Sequence, residues 1–155
     1  MTITTRIAVL TFALAAVPAT SFAAAKVGAA APAFTAVDSS GKEVSLADYK
    51  GKTVVLEWLN KGCPYVQKHY GSGNMQKLQK AYAAKGVVWL SVVSSAEGKQ
   101  GYVTGDEAVA DTKASGAAPS KVLLDPEGEL GGLYGAKTTP HMYVVDKAGV
   151  LRYAG

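Results

Sequence analysis

An apolar run, a short turn and a Cys-Pro pair follow one another between residues 53 and 66. The run, residues 53–56, is short and β-branched, which is typical of a buried β-strand. Residues 60–62 form the turn, and Cys63 and Pro64 come next. Because proline has a fixed φ and no amide hydrogen, Pro64 favours the first helical position and makes Cys63 the predicted N-cap. The segment therefore predicts a strand and a helix that meet at a cysteine.

Cys63 is the only cysteine of the sequence. At the N-terminus of a helix, free backbone amides and the positive end of the helix dipole stabilise a thiolate, so we expect the pKa of Cys63 to be lowered. The alternative is that Cys63 is a small, buried apolar residue. We favour a reactive thiol, because burial in a core does not require the start of a helix.

Residues 1–23 have the pattern of a secretory signal peptide. Arg6 gives the first residues a positive charge, residues 7–16 are almost all apolar, and small residues precede Ala23. Cleavage after Ala23 fits best, and cleavage after Ala25 is the second choice. An uncleaved N-terminal anchor is the alternative, although the apolar stretch is short for a bilayer. We therefore expect a periplasmic or secreted protein, in an oxidising compartment, without stable membrane association after cleavage.

Residues 24–155 are enough for one domain with its own core. The formal net charge of the chain is +4 and its lysines are scattered, which argues against nucleic-acid binding. One cysteine and two histidines at these spacings make a poor metal site, and we expect no metal and no cofactor. A lone cysteine in an oxidising compartment cannot form a structural disulfide within its own chain, so it is a reactive thiol or pairs with another molecule.

Predicted strands and helices alternate along the chain and end in a hairpin, which indicates an α/β fold, a central mixed sheet with helices on both faces. In the helix that starts at Asn74, the residues Met75, Leu78 and Tyr82 are spaced to form one apolar face. The predicted segments are a hairpin at 35–38 and 43–46, a helical turn at 46–49, a helix from Cys63 that breaks at 71–73 and restarts at Asn74, a strand at 87–93, a loop at 94–105 long enough to lie over a site, a helix at 106–115, a strand at 122–125, a helical segment at 126–134, and a hairpin at 142–146 and 150–153.

Several stretches of the sequence stand out together, namely residues 28–35 and 41–56, Cys63-Pro64-Tyr65-Val66, residues 122–128, Thr139-Pro140, and residues 144–151. They resemble the redoxin branch of the thioredoxin-like superfamily, the alkyl hydroperoxide reductase and thiol-specific antioxidant (AhpC/TSA) type. Cys63 matches the first cysteine of the Cys-x-x-Cys motif, and Thr139-Pro140 is similar to the cis-proline loop that faces it. The resemblance covers nearly all of residues 24–155 and implies a thioredoxin-like fold.

The resemblance also implies roles for residues around Cys63. Glu57 lies six positions before Cys63, where thioredoxins carry a buried carboxylate that moves protons for the thiol. An apolar setting would raise its pKa and let it exchange protons with Cys63. The alternative is a glutamate at the end of a strand that reaches solvent. The expected substrate-binding residues are Pro64, Thr139, Pro140 and His141.

The sequence departs from the family pattern in three respects. Val66 occupies the place of the second cysteine, so no intramolecular Cys-x-x-Cys disulfide can form. Leu56 and Asn60 stand where peroxiredoxins carry the proline and threonine that shape the peroxide site. The sequence also stops at Gly155, on a predicted strand, where a thioredoxin-like domain normally continues into a helix. This points to a missing C-terminal helix and leaves open a truncation at the C-terminus.

These observations predict an exported thioredoxin-like thiol oxidoreductase. Cys63 attacks a disulfide or an oxidised sulfur, and an external thiol resolves the product, so the expected partner is an external thiol or disulfide protein. One alternative is a one-cysteine peroxidase of the peroxiredoxin type that reduces hydroperoxides through a sulfenic acid on Cys63. The other is a redox-inactive thioredoxin-like module that binds a peptide or partner beside the cis-proline.

Overall fold

The computed structural model describes residues 25–155, and the predicted signal peptide lies outside the described residues. Each strand and helix predicted for this range is present, with ends that differ by a few residues. The elements are β1 (Thr35–Asp38), β2 (Glu43–Ser45), a 3₁₀ turn (Leu46–Tyr49), β3 (Val54–Trp58), α1 (Pro64–Gly71), α2 (Asn74–Ala83), β4 (Val88–Val93), α3 (Gly105–Ala114), β5 (Lys121–Leu124), α4 (Glu129–Tyr134), β6 (His141–Val145) and β7 (Leu151–Ala154).

The seven strands of the described residues form one mixed sheet in the order β2-β1-β5-β4-β3-β6-β7. β3 lies inside the sheet, parallel to β4 and antiparallel to β6. The register places Glu57 opposite Ser91 and Trp58 opposite His141. Strand pairing therefore brings residues of three strands to the end of β3, where the chain turns toward Cys63.

Strand alternation gives the sheet two faces, and helices cover both. On one face, Leu56 lies in the main core together with α4. On the other face, Val55 packs with Met75 of α2, and Val122 packs with Ala108 of α3. This arrangement confirms the predicted α/β class. None of the helices in residues 25–155 has both the length and the apolar character that crossing a membrane requires.

β3 extends further than the sequence pattern indicated. It runs to Trp58, and all five of its residues are buried because the strand is paired on both sides and covered on both faces. Glu57 therefore lies inside the strand with none of its surface exposed. The interpretation of Glu57 as a strand-end residue that reaches solvent is wrong.

The buried face of α2 also differs from the prediction. Met75 and Gln79 are its buried residues, whereas Tyr82 is 43% exposed. The prediction of an apolar face that includes Tyr82 is therefore wrong at that residue. Gln79 lies one helical turn after Met75, and its amide finds buried hydrogen-bond partners in the Glu57 carboxylate and the Ala118 backbone amide. These bonds compensate the cost of burying a polar side chain.

Removing a core side chain tests this packing. Leu90 on β4 is fully buried, so Leu90→Ala is expected to lower the free energy of unfolding by about 2–5 kcal/mol through lost burial and a residual cavity. Urea denaturation followed by circular dichroism measures the change. Val109→Ala is the control, since Val109 is 54% exposed on α3 and its truncation is expected to change stability by less than about 0.5 kcal/mol. Equal losses in both variants would contradict the packing.

Candidate functional site around Cys63

Asn60 holds the turn between β3 and α1. Its backbone carbonyl accepts a hydrogen bond from the Cys63 amide at 2.9 Å, and its side-chain carbonyl accepts one from the Gly62 amide at 2.8 Å. Cys63 has an extended backbone conformation as the N-cap of α1, and Pro64 occupies the first turn of the helix. The two bonds to Asn60 fix the direction in which the Cys63 side chain leaves the turn.

The Cys63 thiol is partly exposed and contacts Thr139. Its sulfur lies 2.9 Å from the Thr139 carbonyl oxygen, which accepts a hydrogen bond from the thiol form. The pKa of Cys63 is nevertheless lowered, because the Thr139 side chain and then the backbone amides of Val66 and Tyr65 favour the thiolate. The only cysteine of the chain is therefore accessible, and its thiol ionises more easily than that of a free cysteine.

The loop before β6 faces Cys63. The peptide bond between Thr139 and Pro140 is cis, and the contact from Thr139 to the Cys63 sulfur spans 76 residues of sequence. Thr139, Pro140 and His141 are half-buried, whereas Pro64 is exposed beside Cys63. The structure thus brings the Thr139-Pro140 loop and the Cys63-Pro64 helix start to one place on the surface.

His141 lies next to this place as a neutral ring. Its Nδ1 accepts a hydrogen bond from the Lys137 amide at 3.3 Å, which leaves Nε2 to carry the ring proton. Its ring packs against Tyr143, with centroids 4.7 Å apart. Burial, and then the charge of Lys137, lower the pKa of His141. Within residues 25–155 no hydrogen bond joins His141 to Cys63, and the ring contacts Lys137 and Tyr143 instead.

Glu57 is fully buried, and four side chains surround its carboxylate. Oε1 lies 3.0 Å from the Tyr70 hydroxyl, and Oε2 lies 2.7 Å from the indole nitrogen of Trp89. Gln79 Nε2 and Ser91 Oγ are also near Oε2, at 3.3 and 3.4 Å. Donors from α1, α2 and β4 thus converge on a single acid.

Burial raises the pKa of Glu57, although hydrogen bonds from its neighbours oppose part of the rise. The acid therefore keeps its proton to a higher pH than an exposed glutamate does. No direct hydrogen bond in the described part of the chain joins Glu57 to Cys63. Proton exchange between the two requires an intermediate group.

The four partners of Glu57 were not identified from the sequence. Gln79 gives the one local signal, because a polar residue a helical turn after an apolar Met75 breaks the pattern of a buried face. The other three contribute from another helix and from the neighbouring strand. Finding Ser91 and Trp89 requires the register of β3 against β4, which a single sequence does not provide.

Hydrogen bonds hold the loop of residues 94–104 against the turn that precedes Cys63. Asn60 Nδ2 donates a hydrogen bond to the Gln100 carbonyl at 3.1 Å, and Gln100 Nε2 donates to the Gly62 carbonyl at 3.4 Å. Gly101 has a φ of +87°, and a Cβ at this position would overlap the Asn60 side chain. A side chain at position 101 would therefore displace either the loop or the turn.

A cavity of about 300 Å³ lies between α1 and α3, on the face of the sheet that carries Glu57. Its walls are mostly apolar and include Val66, and the Lys61–Asp111 ion pair, 2.8 Å long, borders it. Cys63 does not line the cavity. The lining residues that also contact Glu57 are Tyr70 and Ser91.

The arrangement supports the chemistry of a nucleophilic thiol. The pKa of the thiol is lowered at the helix start, a partner can reach the thiol from solvent, and a buried acid, Glu57, lies on the strand that precedes it. Residues 25–155 contain no group of three or more His, Cys, Asp and Glu side chains that could hold a metal ion.

The model of the AhpC/TSA family matches residues 27–154 of the chain. No curated protein is significantly similar to the chain in sequence. Solved structures with related folds are numerous, and three of them illustrate the range.

The pneumococcal exposed lipoprotein thioredoxin from Streptococcus pneumoniae is 29% identical, with a TM-score of 0.60 over 79% of this chain and 87% of that chain. A protein from Chlorobium tepidum, provisionally described as the thiol:disulfide interchange protein DsbE, is 25% identical, with a TM-score of 0.68 over 84% and 85%. An uncharacterized conserved protein from Geobacillus kaustophilus is 23% identical, with a TM-score of 0.73 over 93% and 74%. The thioredoxin-like fold expected from the sequence is confirmed.

Thr139→Val tests whether the Thr139 side chain activates Cys63. Removing the hydroxyl is expected to raise the pKa of Cys63 and to slow its alkylation at neutral pH, because the thiolate loses a stabilising partner. The pH dependence of iodoacetamide alkylation, followed by mass spectrometry, measures this pKa. Thr138→Val, at the exposed preceding residue, is expected to keep the wild-type profile. An unchanged or lower pKa in Thr139→Val would exclude this role for the side chain.

Glu57→Gln tests the buried acid through the pH dependence of stability. Because folding raises the pKa of Glu57, the folded protein holds this proton more tightly than the unfolded chain does. The resulting stability is complete below the pKa of the unfolded chain and is lost as pH rises through the folded-state pKa. Glu57→Gln lacks this titration, so we expect its free energy of unfolding to depend less on pH.

Urea denaturation at a series of pH values from acid to alkaline measures this dependence for each protein. Glu43→Gln, at an exposed position on β2, is the matched control and is expected to follow the wild type. Parallel curves for the wild type and Glu57→Gln would show that Glu57 has the same pKa in the folded and unfolded states.

Proposed function

The chain belongs to the AhpC/TSA family, and we propose that it is an exported thioredoxin-like thiol oxidoreductase that acts through Cys63. The observation that carries the proposal is the position of the Cys63 sulfur, partly exposed at a helix start and 2.9 Å from the Thr139 carbonyl. Similarity to a protein described as a thiol:disulfide interchange protein supports the reaction class. Similarity to an exposed lipoprotein thioredoxin, together with the signal-peptide pattern of residues 1–23, supports export.

The proposed reaction is thiol–disulfide exchange. The Cys63 thiolate attacks one sulfur of a partner disulfide, the S–S bond of the partner breaks, and a mixed disulfide forms between Cys63 and the partner. The second partner sulfur leaves as a thiolate and takes up a proton. An external thiolate then attacks the partner sulfur of the mixed disulfide, which forms a new disulfide outside the protein and releases Cys63 as a thiolate.

Val66 is the reason why this mechanism requires an external thiol. It occupies the third position of α1, where the second cysteine of a Cys-x-x-Cys motif would stand, and it is only 4% exposed. An apolar side chain at this position packs into the wall of the cavity between α1 and α3. Cys63 has no second thiol in this sequence to resolve its mixed disulfide.

The substrate-binding role falls to the surface around the Thr139-Pro140 loop. Pro140 and the backbone of Thr139 position an extended partner segment so that its disulfide meets the Cys63 sulfur. Pro64, exposed at the helix start, flanks the same surface. His141 offers its Nε2 hydrogen to the partner, since its Nδ1 is already bonded to the Lys137 amide.

In the proposed reaction, Glu57 is a buried group that accepts and donates a proton. Its pKa is raised by burial, which brings it closer to the pH at which a thiol gains and loses its proton. As a carboxylate it takes up the proton that Cys63 releases, and as an acid it supplies one to the leaving thiolate. The lack of a direct bond to Cys63 means that this exchange is indirect.

A one-cysteine peroxidase is the second candidate, and membership of the AhpC/TSA family favours it. In that reaction a peroxide oxygen is transferred to the Cys63 thiolate, which gives a sulfenic acid. Asn60 weighs against it. Its side chain bonds the Gly62 amide and the Gln100 carbonyl, so it does not face the Cys63 sulfur as a donor for peroxide. A redox-inactive module that binds a partner beside Pro140 is the third candidate.

Cys63→Ser and Val66→Cys form a matched pair that tests the proposal. The wild type, incubated with a disulfide-containing protein such as insulin, is expected to form a mixed disulfide that mass spectrometry detects. Cys63→Ser is expected to form none. Val66→Cys is expected to release the partner and to form an internal disulfide, because residues three apart lie side by side on a helix.

Two outcomes would replace the proposal. Oxidation of Cys63 by hydrogen peroxide in a stopped-flow assay, much faster than that of a free thiol and without any reaction with disulfides, would favour the peroxidase. Partner binding that survives intact in Cys63→Ser, without a mixed disulfide in the wild type, would favour the binding module.

A further inference from the structure

We propose that the Tyr70 hydroxyl is the group through which Glu57 exchanges its proton. When Glu57 is protonated, the proton is on Oε1 and is hydrogen-bonded to the Tyr70 hydroxyl. The proton leaves through this hydroxyl toward the cavity between α1 and α3. The inference rests on the proposed role of Glu57 in the chemistry of Cys63. It adds the group through which the buried acid exchanges its proton and the direction in which that proton leaves.

The N–H donors around Oε2 disfavour a proton on that atom. Trp89 Nε1 lies 2.7 Å from Oε2 and Gln79 Nε2 lies 3.3 Å from it. An indole nitrogen and an amide nitrogen can only donate hydrogen bonds, so neither can accept one from a protonated Oε2. Ser91 Oγ, at 3.4 Å, is the most distant of the three neighbours of Oε2. A proton on Oε2 would therefore face two N–H groups and could be accepted only by the Ser91 hydroxyl.

Oε1 has a different environment. Its neighbour in the described chain is the Tyr70 hydroxyl at 3.0 Å, and a hydroxyl can donate or accept. It donates to Oε1 when Glu57 is ionised and accepts from Oε1 when Glu57 is protonated. Gln79 Nε2 also donates to the Tyr70 oxygen, at 3.1 Å, and holds it in place in both states. The proton of Glu57 therefore belongs on Oε1.

The Tyr70 hydrogen turns away from Glu57 once Glu57 is protonated. With Gln79 and Glu57 both donating to the Tyr70 oxygen, this hydrogen is left to point toward the Ser91 hydroxyl, which also interacts with Tyr70, or into the cavity that both residues line. Tyr70 lines the cavity of about 300 Å³, which is large enough for several water molecules. The same cavity extends to Lys61 and Gln67, beside the first turn of α1. Proton exchange through Tyr70 thus leads into a cavity that borders α1 and whose lining does not include Cys63.

The step conserves its atoms and electrons. On release, the Tyr70 hydroxyl passes its own hydrogen to water in the cavity and takes the Glu57 proton from Oε1. On uptake the same two transfers run in reverse, with Tyr70 giving its hydrogen to Oε1 and taking one from water. No electrons are transferred, and Tyr70 is neutral before and after. Because Tyr70 acts on Cys63 through Glu57, it is a positioning residue and not a catalytic one.

Infrared difference spectroscopy between low and high pH tests the inference, since a protonated carboxyl has a C=O band that Glu57→Gln removes. Tyr70→Phe is expected to shift this band to higher frequency, because the carboxyl loses its acceptor. The midpoint of its titration is expected to move to higher pH, because the ionised form loses a charge-assisted hydrogen bond. The proposed proton exchange with Glu57 adds an inflection to the pH profile of Cys63 alkylation, and this inflection is expected to move with the midpoint.

Tyr82→Phe is the control. Tyr82 is a partly exposed tyrosine of α2, so this variant is expected to keep the wild-type band and midpoint. Ser91→Ala removes a hydroxyl that donates to Oε2, so its midpoint is expected to rise, whereas its band is expected to stay in place because the proton is on Oε1. An unchanged band in Tyr70→Phe, a shifted band in Ser91→Ala, or no band that depends on Glu57 would overturn the inference. If Tyr70→Phe does not fold, the band of Ser91→Ala decides between the two carboxylate oxygens.

The infrared measurement repeated in Cys63→Ser separates this inference from the proposed function. The band and its shift depend on Glu57 and its neighbours alone, so they are expected to persist without the thiol. A protein that shows no thiol–disulfide exchange but retains the Tyr70-dependent band would refute the proposed function and leave the proton position on Oε1 intact.

Discussion

β3 is hydrogen-bonded to a neighbour on each side, and its end is the fixed point of the site. The chain leaves this end through one short turn, in which the Cys63 amide bonds the Asn60 carbonyl at 2.9 Å. On β6, which pairs with β3, His141 lies opposite Trp58, and this register fixes where the preceding Thr139-Pro140 loop lies relative to the end of β3. The sulfur and the Thr139 carbonyl meet because both are anchored to the same strand end.

Much of this geometry follows from local chemistry, which is why it could be predicted. A β-branched run, a glycine-containing turn and a proline at the helix start define the direction of the chain around Cys63 without reference to distant residues. The same holds for the hairpin of β1 and β2 and the helix break before Asn74. The place of Thr139 beside Cys63 came from the family resemblance, since nothing local to residue 139 indicates it.

The surroundings of Glu57 could not be predicted, for a physical reason. A buried carboxylate is tolerated only where enough donors replace its lost water, and here those donors come from two helices and a neighbouring strand. Their convergence depends on strand register and helix rotation, which a single sequence leaves undetermined. The error at Tyr82 has a different origin. Tyr82 lies on the same face of α2 as Met75 and Gln79 but in the last turn of the helix, where its ring is partly exposed and lies 5.0 Å from Lys85 Nζ.

The hydrogen bonds between the Asn60 turn and the loop of residues 94–104 join two parts of the chain that are about forty residues apart. The Asn60 side chain bonds Gln100 and its backbone bonds Cys63, so the position of the loop and that of the sulfur are linked through one residue. Gly101 lies so close to the Asn60 side chain that even a Cβ would not fit between them. The loop is thus a remote tuning element, and a change in its length or anchoring would alter the reach of the nucleophile while leaving every residue that touches it unaltered.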